Sequence, residues 1–164
     1  MDFNYAGELL KLCEETKLPI SEVMKRREMD FSSMTAQEVE EKMRKSLEIM
    51  KTAAKEPLEN EKPSMGGLIG GEAKLLFSQK GKEKDICGDV VLKAITYAMA
   101  VLEVNASMGV IVAAPTAGAC GVMPAVLVTY EREKAVPEEK MVEAMYVAAG
   151  IGQVIAHRAY IAGA

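Results

Sequence analysis

Residues 104–130 read VNASMGVIVAAPTAGACGVMPAVLVTY, 27 residues without a single charge, closed off by Glu103 and Glu131. A run of that length is enough to cross a bilayer, so a membrane span is the first reading to test. Its content rejects that reading. Pro115 and Pro124 each remove a backbone donor, and Gly109, Gly118 and Gly121 loosen the chain around them. The residue before each proline is pushed out of the α region. No continuous helix long enough to span survives these breaks. The stretch reads instead as helix, buried loop, helix. Its middle, Pro115-Thr116-Ala117-Gly118-Ala119-Cys120-Gly121, is a small-residue loop with one hydroxyl and one thiol. Such a loop lets backbone N–H groups approach a ligand, and it lies just ahead of a helix start, where donors are unpaired and the dipole favours anions.

Upstream, the chain from Ile86 to Val104 is apolar on nearly every side, with Lys93 and Glu103 as its few charges. A helix without a polar face predicts a central, buried element. Further back, Ser64-Met65-Gly66-Gly67-Leu68-Ile69-Gly70-Gly71 forms a second glycine-rich loop ahead of a short helix that should stop near Gly81. No Gly-Lys-Ser/Thr follows it, so it is no P-loop. A plain hinge and a ligand loop both fit it. Lys82 to Asp85 reads as a solvated turn.

The remaining helices follow from periodicity and punctuation. Tyr5, Leu9, Leu12 and Cys13 share one helical face. Pro19 opens a second helix with Val23 and Met24 inward and Lys25-Arg26-Arg27 outward. Thr35-x-x-Glu38 is a capping box, and behind it Val39, Met43, Leu47, Met50 and Ala54 keep one stripe up to a predicted end before Pro57. The spacing predicts a helix over 122–134 and another from Pro137, in which Gly150 and Gly152 require a closely packed neighbour. Val110-Ile111-Val112 is too short for a convincing strand. The sum is an all-α chain of about seven helices around a buried apolar helix, with two glycine-rich loops. Residues 1–164 read as a single helical domain.

Composition narrows the function classes. The net charge is -4, which argues against a nucleic-acid partner. Aromatics make up only 5%, and 12 Met fill the core instead. No signal peptide is visible, because Asp2, Glu8, Glu14 and Glu15 interrupt any apolar run. Cys13, Cys87 and Cys120 make neither a disulfide framework nor a zinc-type pair, and reduced thiols in a cytoplasmic chain are expected. Cys120, ahead of a helix and between glycines, sits where a thiol pKa is lowered, which suits a nucleophile or metal ligand; a small core thiol is the other reading. His157 is the single histidine, and no motif ties it to Cys120. Asn105, Ser107 and Thr116 are the hydrogen-bonding groups of the apolar run, for loop closure or for a small polar ligand.

Glu103-Val104-Asn105-Ala106-Ser107-Met108-Gly109, Val112 through Gly121, and Met123-Pro124-Ala125-Val126-Leu127 resemble the signature of the bacterial iron–sulfur L-serine dehydratases, α chain. Gly67-Leu68-Ile69-Gly70-Gly71-Glu72-Ala73 and Ala149-Gly150-Ile151-Gly152 to Ala162-Gly163-Ala164 extend the likeness. The resemblance implies conversion of L-serine to pyruvate and ammonia without pyridoxal phosphate. It implies a [4Fe–4S] cluster held by three cysteines, whose open iron acts as a Lewis acid on the substrate hydroxyl. Cys120 matches the first cluster cysteine. Asn105, Pro115, Thr116, Ala117 and Gly118 match the part that would cradle the serine carboxylate. The resemblance assigns no base here, so the catalytic residue is unknown. The other cluster cysteines are expected beyond Ala164, and a separate β chain as partner. The chain then reads as an N-terminal part of a truncated α chain, inactive alone, with an apolar patch that self-associates into a homo-oligomer. The alternative is a non-catalytic helical scaffold or amino-acid-binding module.

Overall fold

A computed structural model of the chain describes residues 1–79 and 87–159. The expected end near Gly81, the turn at Lys82–Asp85, the start at Ile86 and the terminal Ala162-Gly163-Ala164 lie outside the described residues. Seven α-helices follow one another among the described residues: α1 (Ala6–Thr16), α2 (Ile20–Ser32), α3 (Ala36–Glu59), α4 (Glu72–Ser78), α5 (Asp89–Ala106), α6 (Val122–Lys134) and α7 (Glu138–Ala156). A 3₁₀ turn, Ala117–Ala119, precedes α6. No strand occurs among the described residues, so the all-α expectation holds. No described helix is long and apolar enough to cross a membrane.

The chain divides into two compact units. The first comprises Met1–Lys45 and the chain from Pro137; the second comprises Ser46–Val136. In the first unit α2 packs along α7 and against α1. Val23, Met24, Val39, Met141, Val142 and Met145 are buried there, as the apolar stripes require. Gly150 explains its place in a helix. A Cβ there would come within 3.0 Å of Met24 Cγ, so α2 lies close against it. Gly152 has no such neighbour, and the expectation of close packing fails at that position. Tyr146 donates its hydroxyl to the Val39 carbonyl at 3.1 Å. Burial, with Glu40 nearby, pushes that phenol up to about 12.

The capping box forms as read. Glu38 N–H donates to Thr35 Oγ1 at 3.3 Å, and Thr35 N–H donates back to Glu38 Oε2 at 2.8 Å. Thr35→Ala is expected to cost about 1 kcal/mol in urea unfolding at neutral pH. The Thr35 backbone N–H, then its hydroxyl, hold the Glu38 carboxyl below the usual glutamate range. A lowered pKa gives stability that is present above the ordinary value and lost as pH falls through the lowered one. The penalty of Thr35→Ala should therefore shrink on acidification; a penalty independent of pH would contradict the reciprocal cap.

The expected end of α3 before Pro57 is corrected. The helix continues to Glu59 with Pro57 inside its last turn. Pro57 has no N–H to offer the Ala53 carbonyl one turn back, so the helix continues without that bond. Pro57 is buried, and Asn60 N–H still reaches the Glu56 carbonyl at 2.8 Å.

The second unit is built on α5, which packs against α4 and α6. Its core joins Tyr97, Val101 and Val104 of α5 to Ala53 and Ala54 of α3, Ala125 and Val128 of α6, and Cys120. Lys93 is paired with Asp89 at 2.8 Å and Glu133 at 2.5 Å, which raise its pKa to about 12. Lys51 pairs with Glu131. Burial of α5 on every side is met on one side only, because Val90, Val91, Ile95 and Leu102 are exposed. On α6, Val122, Val126 and Tyr130 form an exposed stripe at i, i+4 and i+8. Exposed apolar side chains therefore occur on both α5 and α6.

Candidate functional site

The site is assembled at the end of α5. Asn105, in the last turn, donates its Nδ2–H to the carbonyl of Ala117 at 3.2 Å. That bond ties α5 to the 3₁₀ turn of the Pro115–Gly121 loop. Thr116 caps the turn: its Oγ1 accepts from Ala119 N–H at 3.3 Å. The hydroxyl proton is not used in that bond and is available to an acceptor outside. Ser107 Oγ donates locally to Val104 O at 3.1 Å, so it closes the helix end. Ala117 and Gly118 are exposed, and their N–H groups have no protein acceptor among the described residues. Pro115, with a cis peptide bond after Ala114, is likewise exposed. Asn105, Thr116, Ala117 and Gly118 are thus brought together around one short turn.

The loop approaches α5 closely where α6 begins. A Cβ on Gly121 would lie 2.6 Å from the Ala98 carbonyl oxygen. A Cβ on Gly109 would lie 2.6 Å from Val104 Cγ1. These glycines are required by packing, since neither carries a positive φ.

Cys120 departs from its expected environment. It is 0% exposed and belongs to the core cluster of the second unit. Burial pushes its thiol up, opposite to the lowered value expected ahead of a helix; its own backbone N–H offsets this only in part. It shares a buried cluster with Tyr97, Val101 and Val128, and desolvation is the larger effect on its thiol. Cys13 is half-buried and Cys87 exposed. No group of three metal-ligating side chains gathers among the described residues. A three-thiolate cluster therefore does not fit these residues on their own; Cys120 offers one thiol.

The same turn of α5 carries a second connection that sequence reading missed. Glu103 is 4% exposed and accepts from Ala73 N–H at 2.7 Å and Gly71 N–H at 3.2 Å. It thereby holds the Ser64–Gly71 loop at the start of α4. The loop also closes on itself: Ser64 N–H donates to Ile69 O at 2.7 Å, and Ile69 N–H donates to Ser64 Oγ at 3.2 Å. Glu72 accepts from Gly70 N–H at 2.7 Å. Its own backbone N–H, then that of Gly70, hold its carboxyl low. The signal for Glu103 was its charge inside an apolar helix, but its partners lie about thirty residues away, beyond any local pattern. His157, at the end of α7 in the first unit, has its ring 6.5 Å from Tyr5, with the Arg158 guanidinium over the same Tyr5 ring.

The chain is all-α, with a small-residue loop tied to one helix end, and sequence comparison gives its family. A family model described as serine dehydratase alpha chain matches residues 15–164. The chain is 35% identical over 162 residues to the probable L-serine dehydratase, alpha chain, of Bacillus subtilis, covering 99% of this chain and 54% of that protein. It is 35% identical over 161 residues to the L-serine dehydratase, alpha chain, of Peptoniphilus asaccharolyticus, covering 98% and 55%. It is 34% identical over 168 residues to L-serine dehydratase TdcG of Escherichia coli, covering 99% and 37%. The chain belongs to the serine dehydratase alpha chain family. It spans about half the length of the alpha-chain relatives.

Proposed function

We propose that this chain is the serine-binding part of an L-serine dehydratase, which converts L-serine to pyruvate and ammonia. The observation that carries the reading is the turn formed by Thr116, Ala117 and Gly118, pinned by Asn105 and presenting unpaired donors, within a chain of this family. A serine carboxylate needs several donors in a small space. Ala117 N–H, Gly118 N–H and the Thr116 hydroxyl supply them, while Asn105 keeps the turn in register. Pro115 limits the freedom of the loop on its N-terminal side.

Overall, the Cα proton and the β-hydroxyl of serine leave as water. The resulting aminoacrylate tautomerises to an imine, which water hydrolyses to pyruvate and ammonia. This chain's part is to bind and orient the carboxylate. The [4Fe–4S] cluster implied by the resemblance would receive one thiolate here, from Cys120, with the others from outside the described residues. The family names further suggest a β chain as partner.

The test is pyruvate formation from L-serine under anaerobic conditions, with iron and sulfide, a serine dehydratase β chain and the remaining part of an α chain supplied. Thr116→Val removes one donor to a charged group and should lower kcat/KM about tenfold. No pyruvate, or equal rates with Thr116→Val, would overturn the reading. The burial of Cys120 favours one alternative, an amino-acid-binding module that uses the same turn without turnover. It predicts L-serine binding that neither needs iron nor yields product.

A further inference from the structure

The three charges of α5 are engaged within the second unit. Lys93 pairs with Asp89 and with Glu133, and Glu103 accepts from Gly71 and Ala73. What the helix leaves to solvent along one line is apolar. Val91, Ile95 and Leu102 recur at i, i+4 and i+11, and all three are exposed. On α6, Val122 and Val126 are one turn apart, 62% and 58% exposed, so packing against α5 covers neither. A single exposed aliphatic side chain is ordinary. Lines of them on two helices in contact mark an interaction surface.

The two lines flank one crossing. A Cβ on Gly121 would lie 2.6 Å from the Ala98 carbonyl oxygen, so the start of α6 rests on the backbone of α5 at Ala98. Ala98 stands three residues after Ile95 and four before Leu102, the spacing of neighbours on a helix surface. Val122 follows Gly121 directly, and Val126 continues its line. Beyond Leu102, three residues on, comes Asn105, whose carboxamide donates to the Ala117 carbonyl. The face therefore runs up to the Thr116–Gly118 turn.

The family says what is there to cover it. The chain matches 54% and 55% of the two alpha-chain relatives, so nearly half of each relative has no counterpart in this sequence. We propose that the face of Val91, Ile95, Leu102, Val122 and Val126 is the seat of that remaining part of an alpha chain, in the same polypeptide or in another. Aliphatic side chains of the docking part gain by leaving water there, whereas a charged one would be stranded without a partner. Seated on this face, the added part borders the turn that Asn105 holds. The proposal rests on family membership and not on the serine reading, so either can fail alone.

The test compares thiol labelling in this chain with labelling in the full-length alpha chain of Bacillus subtilis. Leu102→Cys and Val126→Cys are made singly here, and the aligned residues of the relative are changed likewise. Iodoacetamide rates at each new site are read by peptide mapping and compared with the rate in urea. In this chain both sites should label within about tenfold of the urea rate. In the relative both should label at least about a hundredfold more slowly than in urea, because the reagent must wait for the docked part to open. The two sites lie on different helices, so one variant that disturbs its own helix does not decide the result. Fast labelling in both proteins would overturn the proposal, with the remaining part docked elsewhere. Slow labelling in this chain would also overturn it. A dimer in sedimentation would then assign the face to a second copy, and a monomer would mean that the face is not exposed. Protection in the relative that fades on dilution would likewise replace the remaining part with a second copy.

Discussion

Gly121→Ala is expected to destabilise the Ser46–Val136 unit by about 3 kcal/mol, the upper part of the range for forcing extra volume into a packed interior. The reason is steric and local. The added Cβ would stand 2.6 Å from the Ala98 carbonyl oxygen, 3.2 Å from its carbon and 3.3 Å from its Cα. All three are backbone atoms in the middle of α5, so no flexible side chain can swing aside. Relief requires α6 to lift away from α5, which would open the contacts of Ala125 and Val128 with Val101. Gly121 has φ -78, so backbone strain contributes nothing and the whole effect is collision. Gly118→Ala is the matched control. Its Cβ would meet only Thr116 Oγ1, at 3.9 Å. Urea or thermal unfolding should show Gly118→Ala near the unaltered chain and Gly121→Ala lowered by about 10 °C or more. Equal stabilities would mean that α6 does not approach α5 as described.

Cys120 is expected to resist alkylation by at least about a thousandfold relative to Cys87, because reaction must wait for the unit to open. Two effects act in the same direction. The thiol is fully buried among Tyr97, Val101 and Val128, and burial raises its pKa, so little thiolate exists at pH 8 even when reagent arrives. Cys87 is exposed. Iodoacetamide labelling followed by peptide mapping separates the two sites. Cys120 labelling as fast as Cys87 would restore the activated thiolate that the loop position suggests.

The helices were legible wherever one face carried the information. The stripe from Val39 to Ala54, the box at Thr35 and Glu38, and the bounds of α6 at Val122 and Lys134 all follow from spacing and capping. Pro57 misled because its local cost favours a helix end, while the packing that buries it lies outside any local pattern. The apolar pattern of α5 records which residues avoid water, not what covers them, so the exposed side of Val91, Ile95 and Leu102 could not be read from it. Asn105 and Thr116 were visible as lone polar groups in an apolar run. Their join through Ala117 was not, since a helix end and a turn twelve residues on must first be folded together. Cys120 shows the same limit from the other side: its loop position is local, but the direction of its side chain is set by α3, α5 and α6. Glu103 was visible as a lone charge in an apolar helix, but its partners Gly71 and Ala73 lie about thirty residues away, beyond any local pattern.

The most direct measurement is an L-serine titration of the unaltered chain, followed through its backbone amide signals, with D-serine and L-alanine as comparisons. Saturable shifts are predicted at Asn105, Thr116, Ala117 and Gly118, larger for L-serine than for its mirror image, and lost in Thr116→Val. Shifts elsewhere in the chain, or none at all with L-serine at millimolar concentration, would contradict the serine-binding reading.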